Sequence, residues 1–281
     1  MTHLFRWSYV VVLHILIISI LLSSAAAAAE TPKRIISLAP NVTEILYALG
    51  LSERIVAVTS FCDYPEEAKE KPKIGGMSNP SLERVVSLKP DIVIMTTDGN
   101  PKVFAERLQA FRIQTYVFRA RTLSELPHGI SDLGSILGVQ EKADMLAQRI
   151  QSSLQKLSHS APHASRREKI LFIIWPEPLI VAGPATAIDD AITVLGHHNI
   201  AADSKSSYPK YSIEEIILRS PDVIFIGKGH ANMRDMSKGL LKKLAGVPAV
   251  RNQRVFFVSD NLYRLGPRVI QGIEEMAACL K

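Results

Sequence analysis

Two carboxylates, Glu83 and Glu214, hold the same place in two copies of one sequence unit. The first copy runs Ser81-Leu82-Glu83-Arg84-Val85-Val86-Ser87-Leu88-Lys89-Pro90-Asp91 into the apolar run 92–95. The second runs Ser212-Ile213-Glu214-Glu215-Ile216-Ile217-Leu218-Arg219-Ser220-Pro221-Asp222 into 223–226, offset by 131 residues throughout. An acid in the first turn of a helix favours the helix dipole by about 0.3–1 kcal/mol, and that alone would account for either carboxylate. A matched pair has a second use. Two like acids, one per unit, suit a partner that offers the same basic patch twice, as a two-fold symmetric partner does. Both readings stand on the sequence.

A second group of residues could form a binding surface. In open α/β sheets ligands sit beyond the carboxyl ends of the strands. The segments that read as strand-end loops carry Pro40, Phe61, Cys62, Met77 and residues 96–100 in the first half, and Trp175, Tyr208, Tyr211, Tyr263 and Arg264 in the second. Only 6% of the chain is aromatic, yet aromatic residues recur in these loops. A cleft lined this way suits a large, flat, partly apolar ligand. Phe61 and Trp175 could instead cap the core, and Tyr64, beside Pro65, reads as doing so.

Metal and catalytic chemistry find less support. His197 and His198 are adjacent, so their side chains diverge, and His128, His159, His163 and His230 show no ligand spacing. We expect no metal site and no cofactor. Gly-x-Ser-x-Gly, His-Glu-x-x-His, P-loop and Gly-x-Gly-x-x-Gly patterns are all missing, so no catalytic residue is assigned and the chain does not read as an enzyme. The net charge is +6, but the basic residues are scattered in short clusters such as Arg166-Arg167 and Lys242-Lys243, which argues against nucleic acid as a partner.

The elements that must hold these residues follow from the local pattern. Each repeat unit reads as a short helix, a Pro-Asp turn and a strand buried on both faces. Ser81 and Ser212 can cap the helices, and Glu215, three residues after Ser212, completes a capping box. Pro90 and Pro221 end the helices and push Lys89 and Ser220 towards extended geometry. Before the first unit, 34–38 reads as a strand, Asn41 as the cap of a helix over 42–49 stopped by Gly50, and 54–59 as a strand. After it come a helix over 103–111 and a strand over 115–118. From 141 to 157 there is neither Pro nor Gly, and Ala143, Leu146, Ile150, Leu154 and Leu157 recur every three or four residues, which predicts one helix. The programme then restarts with a strand over 169–174, a helix over 187–195 stopped by Gly196, the second unit, a strand over 254–258 and a final helix from Pro267.

This alternation predicts an α/β protein of two Rossmann-like lobes with parallel sheets, joined by one long rigid helix, with the cleft between the lobes. The expected divisions are 1–29, 30–138, 139–160 and 161–281. Residues 1–29 read as a cleavable secretory signal: Arg6 precedes an apolar core over 9–22, followed by small residues over 25–29. That core is short for a membrane span, and no Cys follows it to carry a lipid. Cys62 and Cys279 fall in opposite halves and are expected as free thiols.

The residues Arg34-Ile35-Ile36-Ser37-Leu38-Ala39-Pro40, Thr43-Glu44 and Leu49-Gly50 resemble the opening of class III periplasmic substrate-binding proteins, the cobalamin, ferric-siderophore and haem receptors of ABC importers. Asn79-Pro80-Ser81-Leu82-Glu83, Lys89-Pro90-Asp91 and Gly266-Pro267-Arg268 match further motifs, so the likeness covers residues 33–280. The pocket loops are most similar to those of the cobalamin-binding members. Phe61 stands where a ligand-contacting tyrosine is usual, Tyr208 where a tryptophan is, and Met77 and Thr96 depart from tryptophans. The loop 259–264 is similar to the last pocket loop, which adds Asp260, Asn261 and Leu262 to Tyr263 and Arg264. The resemblance implies a periplasmic, monomeric receptor. It would capture a corrinoid, with a ferric siderophore or haem as the alternative, and deliver it to a dimeric permease whose basic pockets receive Glu83 and Glu214. An enzyme on the same scaffold is the alternative from another class.

Overall fold

The computed structural model describes residues 31–97, 99–160, 167–229 and 232–281. The expected signal segment 1–29, residues 161–166, Asp98, His163 and His230 lie outside the described residues. Residues Lys33–Lys281 form one compact unit.

The first half builds a four-stranded parallel sheet in the order β2-β1-β3-β4 from β1 (Ile35–Ser37), β2 (Ile55–Val58), β3 (Ile92–Thr96) and β4 (Gln114–Phe118). Helices α1 (Pro40–Ala48), α2 (Leu82–Ser87) and α3 (Lys102–Ala110) connect them. Then α4 (Leu126–Ile136) and the 20-residue α5 (Gln140–His159) lead to the second half. There β5 (Lys169–Pro176), β8 (Val223–Gly227) and β9 (Val255–Val258) run parallel, β6 (Leu179–Val181) is antiparallel to β5, and the two-residue β7 (His198–Asn199) pairs in parallel with β5. Helices α6 (Ala187–Val194), α7 (Ile213–Arg219), α8 (Met233–Lys243), the short α9 (Pro248–Arg251) and α10 (Val269–Cys279) complete the second half.

The repeat is a structural one. Ser81 Oγ accepts from Arg84 N at 3.3 Å and Ser212 Oγ from Glu215 N at 3.1 Å, so both serines cap as expected. The capping box is half formed, because the Glu215 carboxylate turns to Arg219 instead of the Ser212 backbone. Lys89 and Ser220 are left-handed, with φ of 46° and 52°, rather than extended. Ending the helix outweighs the preference of a residue before proline: Lys89 N donates to Val86 O and Ser220 N to Ile216 O, and the chain reverses within one residue. The next residue but one clamps the neighbouring strand. Asp91 Oδ2 accepts from Lys33 N and Arg34 N at 2.7 and 2.9 Å, and Asp222 Oδ2 accepts from Lys169 N at 2.8 Å. Gly50 and Gly196 end α1 and α6 with φ of 74° and 79°, where a Cβ would strain the turn.

Three other expectations change. Asn41 lies inside α1, whose N-cap is Ala39, and the Asn41 side chain bonds Leu265 O instead. Helix α4 is a helix the sequence hides, since Pro127, Gly129 and Gly134 interrupt its pattern. Gly134 is what lets α4 press against α5: a Cβ there would lie 2.1 Å from that of Ala143. Strand β5 runs two residues beyond its expected end and turns back as β6 through Glu177 and Pro178.

The largest buried cluster joins both sheets. Ile35 and Ile92 from the first and Ile170, Phe172 and Phe225 from the second share it with Ala143 and Ile150 of α5 and Ile273 of α10. Two smaller clusters cover the outer faces of the two sheets. Among the described residues no helix is long and apolar enough to cross a membrane.

Candidate functional site

The carboxyl ends of the parallel strands in both sheets open onto one cleft. The first half supplies Pro40 and Asn41 at the start of α1, Phe61 after β2, Met77 before α2, Thr96 and Thr97 at the end of β3, and Arg121 after β4. The second half supplies Trp175 at the end of β5, Ile188 on α6, Tyr208 before α7, Met233 on α8, and Asp260, Tyr263 and Arg264 after β9. They enclose a cavity of about 380 Å³ that is open to solvent. Phe61 and Tyr208, from opposite halves, are 49% and 46% exposed.

Local bonds hold this lining in place. Asn100 is the organiser on the first side: its amide donates to Leu38 O at 3.1 Å and to Met77 O at 2.9 Å, while its Oδ1 accepts from Thr96 N at 2.8 Å. Three loops are thereby tied to one side chain. On the second side Trp175 Nε1 donates to Glu177 O at 2.7 Å. Tyr263 stands edge-on to Phe172 with ring centroids 6.4 Å apart, and burial followed by the nearby Asp260 pushes its hydroxyl up to about 12. Gly227 allows this packing, since a Cβ there would lie 2.9 Å from the Tyr263 ring.

At one end of the cleft a cluster of charges crosses between the halves. Arg264 forks onto both oxygens of Asp63, lies 2.7 Å from Asp260 Oδ2 and 3.6 Å from Glu44 Oε1. Arg268 forks onto Glu44, reaches Asn261 Oδ1 at 2.6 Å, and stacks over the Tyr64 ring 3.9 Å from its centre. Burial pushes the Glu44 carboxyl up while Arg268 pulls it back. The hydrogen bond from Arg264 holds Asp63 below the usual carboxylate range.

Residues 35–262 match the family described as periplasmic binding protein. The chain belongs to this family. The vitamin B12-binding protein of Vibrio parahaemolyticus serotype O3:K6 is 31% identical over 255 residues, which span 90% of this chain and 91% of that one. The crystal structure of the periplasmic vitamin B12-binding protein of Vibrio cholerae matches with a TM-score of 0.77 and 28% identity, over 89% of this chain and 97% of that one. The periplasmic haem-binding protein of Roseiflexus sp. RS-1, in its apo form, gives 0.81 and 28%, over 88% and 97%.

In this periplasmic binding protein the structure brings together Pro40, Phe61, Met77, Trp175, Tyr208, Asp260, Tyr263 and Arg264 of the expected site. Asn261 and Leu262 do not line the cleft. Asn261 bonds Arg268, and Leu262 is buried in the core beneath the loop. Cys62 is also buried, between Thr43 and Thr59, and its thiol is pushed up by burial. Tyr211 leaves the cleft for Ser204 and the guanidinium of Arg219. Tyr64 does not cap the core; it is the exposed platform for Arg268. Asn41, Arg121, Ile188 and Met233 were missed, because only the fold shows that helix starts and the β4 loop face the same space. Cys62 and Cys279 are free thiols. His197 Nδ1 receives the Glu168 N–H, which occupies one ring nitrogen with the backbone. Among the described residues no three His, Cys, Asp or Glu are grouped to hold a metal ion.

Glu83 and Glu214 are exposed in the first turns of α2 and α7. Both helices begin directly after loops that line the cleft, at Met77 and Tyr208. Each carboxylate thus stands in a helix that begins a few residues after one lining the cleft.

Proposed function

We propose that this protein captures a corrinoid of the vitamin B12 type in the cleft and hands it to the permease of an ABC importer. The observation that carries this reading is the pair of half-exposed rings, Phe61 and Tyr208, which meet a shared cleft from opposite halves, with Met77 and Trp175 also in its lining. Apolar rims of this kind bind a broad, flat macrocycle by its faces and leave its edge to solvent. The relatives named for vitamin B12 support the ligand class. In the same reading residues 1–29 direct export and are removed. The mature protein works in the periplasm as a monomeric receptor without catalytic activity. Glu83 and Glu214 present it to two equivalent basic patches of a permease dimer.

Haem is the second reading, favoured by the match to the haem-binding structure. Absorption spectra separate the two. Purified protein is incubated with cyanocobalamin or with hemin and dialysed; retention of the corrinoid spectrum at one equivalent supports the proposal. Retention of hemin with loss of cyanocobalamin overturns it in favour of haem.

A further inference from the structure

Arg264 is a cleft guanidinium that is already engaged. Two arginines, Arg121 and Arg264, line the cavity among the described residues. Arg264 and its neighbour Arg268 are surrounded by three carboxylates, those of Glu44, Asp63 and Asp260. The three acids differ in kind. Glu44 is already forked with Arg268. Asp260 lies one turn before Arg264 on its own loop. Asp63 also comes to Arg264 from the other half of the molecule and, unlike Glu44 at 3.6 Å, engages it with both oxygens, although its own side chain is 53% exposed.

A bidentate guanidinium–carboxylate pair uses the donors that would otherwise grip a ligand carboxylate or phosphate. We propose that Asp63 is a specificity-determining residue of the cleft: by taking up Arg264 from across the lobes it denies that guanidinium to anionic ligands. The site is thereby biased towards ligands without free carboxylates. A carboxylate-bearing macrocycle entering this corner must either break the Asp63–Arg264 fork or lie against the Asp63 and Asp260 carboxylates. The depressed protonation range of Asp63 keeps this mask in place through mild acid. The inference rests on the cleft being the ligand site, and it concerns which charge type that site accepts.

The test uses hemin, whose two propionates supply the anionic groups, with the protein, Asp63→Asn, Arg264→Gln and the double variant. Asp63→Asn is expected to bind hemin about tenfold more tightly than the parent at low salt, with the gain shrinking as salt rises. The double variant is expected to lose the gain, because the unmasked group is then absent. Unchanged hemin affinity in Asp63→Asn, or a gain that survives in the double variant, overturns the proposal. If Asp63→Asn fails to fold by thermal melting, Asp63→Ser removes the same charge and is read in the same way. Cyanocobalamin is titrated in parallel. If no form of the protein retains it, the corrinoid reading fails, while the hemin comparison still decides the masking role of Asp63.

Discussion

Glu44 and Arg268 meet across the junction of the two halves, with Arg268 Nε 2.9 Å from Glu44 Oε2 and the Glu44 side chain only 1% exposed. Glu44 sits on α1 and Arg268 immediately before α10, so the pair anchors the last helix to the first lobe. Removing one member of a buried pair leaves the other uncompensated, which costs about 3–5 kcal/mol when both are fully buried. Arg268 keeps some solvent contact and can lean on Tyr64, so Glu44→Ala is expected at the low end, about 3 kcal/mol. Urea unfolding of the two proteins checks this; equal midpoints would mean the pair adds nothing to the fold.

The same junction bears on motion. Besides the Glu44–Arg268 fork, Asn41 bonds Leu265 O on one side, and Leu123 N donates to Asp190 at 2.7 Å on another. With α5 as one continuous helix over Gln140–His159, the described residues between the sheets show no set of flexible strands of the kind that allows wide hinge closure. Small-angle scattering with and without cyanocobalamin is expected to show nearly the same radius of gyration. A large decrease on binding would show that these ties open and close.

The Asp63–Arg264 fork adds a pH dependence. Arg264 lowers the Asp63 protonation range in the folded protein below its ordinary value. A carboxylate depressed by folding contributes stability above its unfolded pKa, about 3.9, and that contribution is lost as pH falls through the folded value. Melting temperatures of the parent and Asp63→Asn are therefore expected to differ most above about pH 4 and to converge below it. Parallel curves down to acid pH would show that the exposed fork carries no stability.

Phe61 and Tyr208 make the ligand contact testable without touching the core. Both are half exposed, so truncation opens no cavity. Phe61→Ala and Tyr208→Ala are each expected to weaken cyanocobalamin binding by about 1–3 kcal/mol, the cost of losing an aromatic contact at an interface, with melting temperatures nearly unchanged. Calorimetric titration giving the parent affinity for both variants would remove them from the site.

What the sequence made legible was local. The repeat units announced themselves through serine caps, Pro-Asp turns and four-residue apolar runs. The rule that ligands gather at strand ends then placed Phe61, Trp175 and Tyr208 in one cleft. Helix α4 was illegible because Gly134, a helix-weakening residue in isolation, is required by contact with Ala143. The charge cluster was illegible for a different reason: Asp63 and Arg264 lie 201 residues apart, and Glu44 and Arg268 lie 224 apart. No local pattern relates such residues. Asn261 and Leu262 entered the expected site through the likeness of loop 259–264 to the family's last pocket loop, but here residues 260–262 wind into one tight helical turn, so Leu262 is buried in the core while Asp260 lines the cleft.

Glu83 and Glu214 occupy equivalent first-turn positions in the two repeat units, on helices that start beside the cleft. Each is exposed, so a surface role costs no desolvation within the protein. On α7 the exposed side extends past Glu214 to Leu218, which is 86% exposed, so apolar surface adjoins the carboxylate there. The equivalent position on α2 is Ser87, and the two lobes thus offer similar charges on unequal surroundings. Charge pairs at such an interface mainly set orientation and association rate, and they weaken with salt. A helix-dipole role alone predicts a small loss of stability and normal uptake. The double reversal Glu83→Arg with Glu214→Arg separates the two roles. Ligand affinity and melting temperature are expected to stay close to the parent values, while association with the cognate permease in low salt is lost. Uptake at the parent rate by the double variant would reduce both carboxylates to helix-end charges.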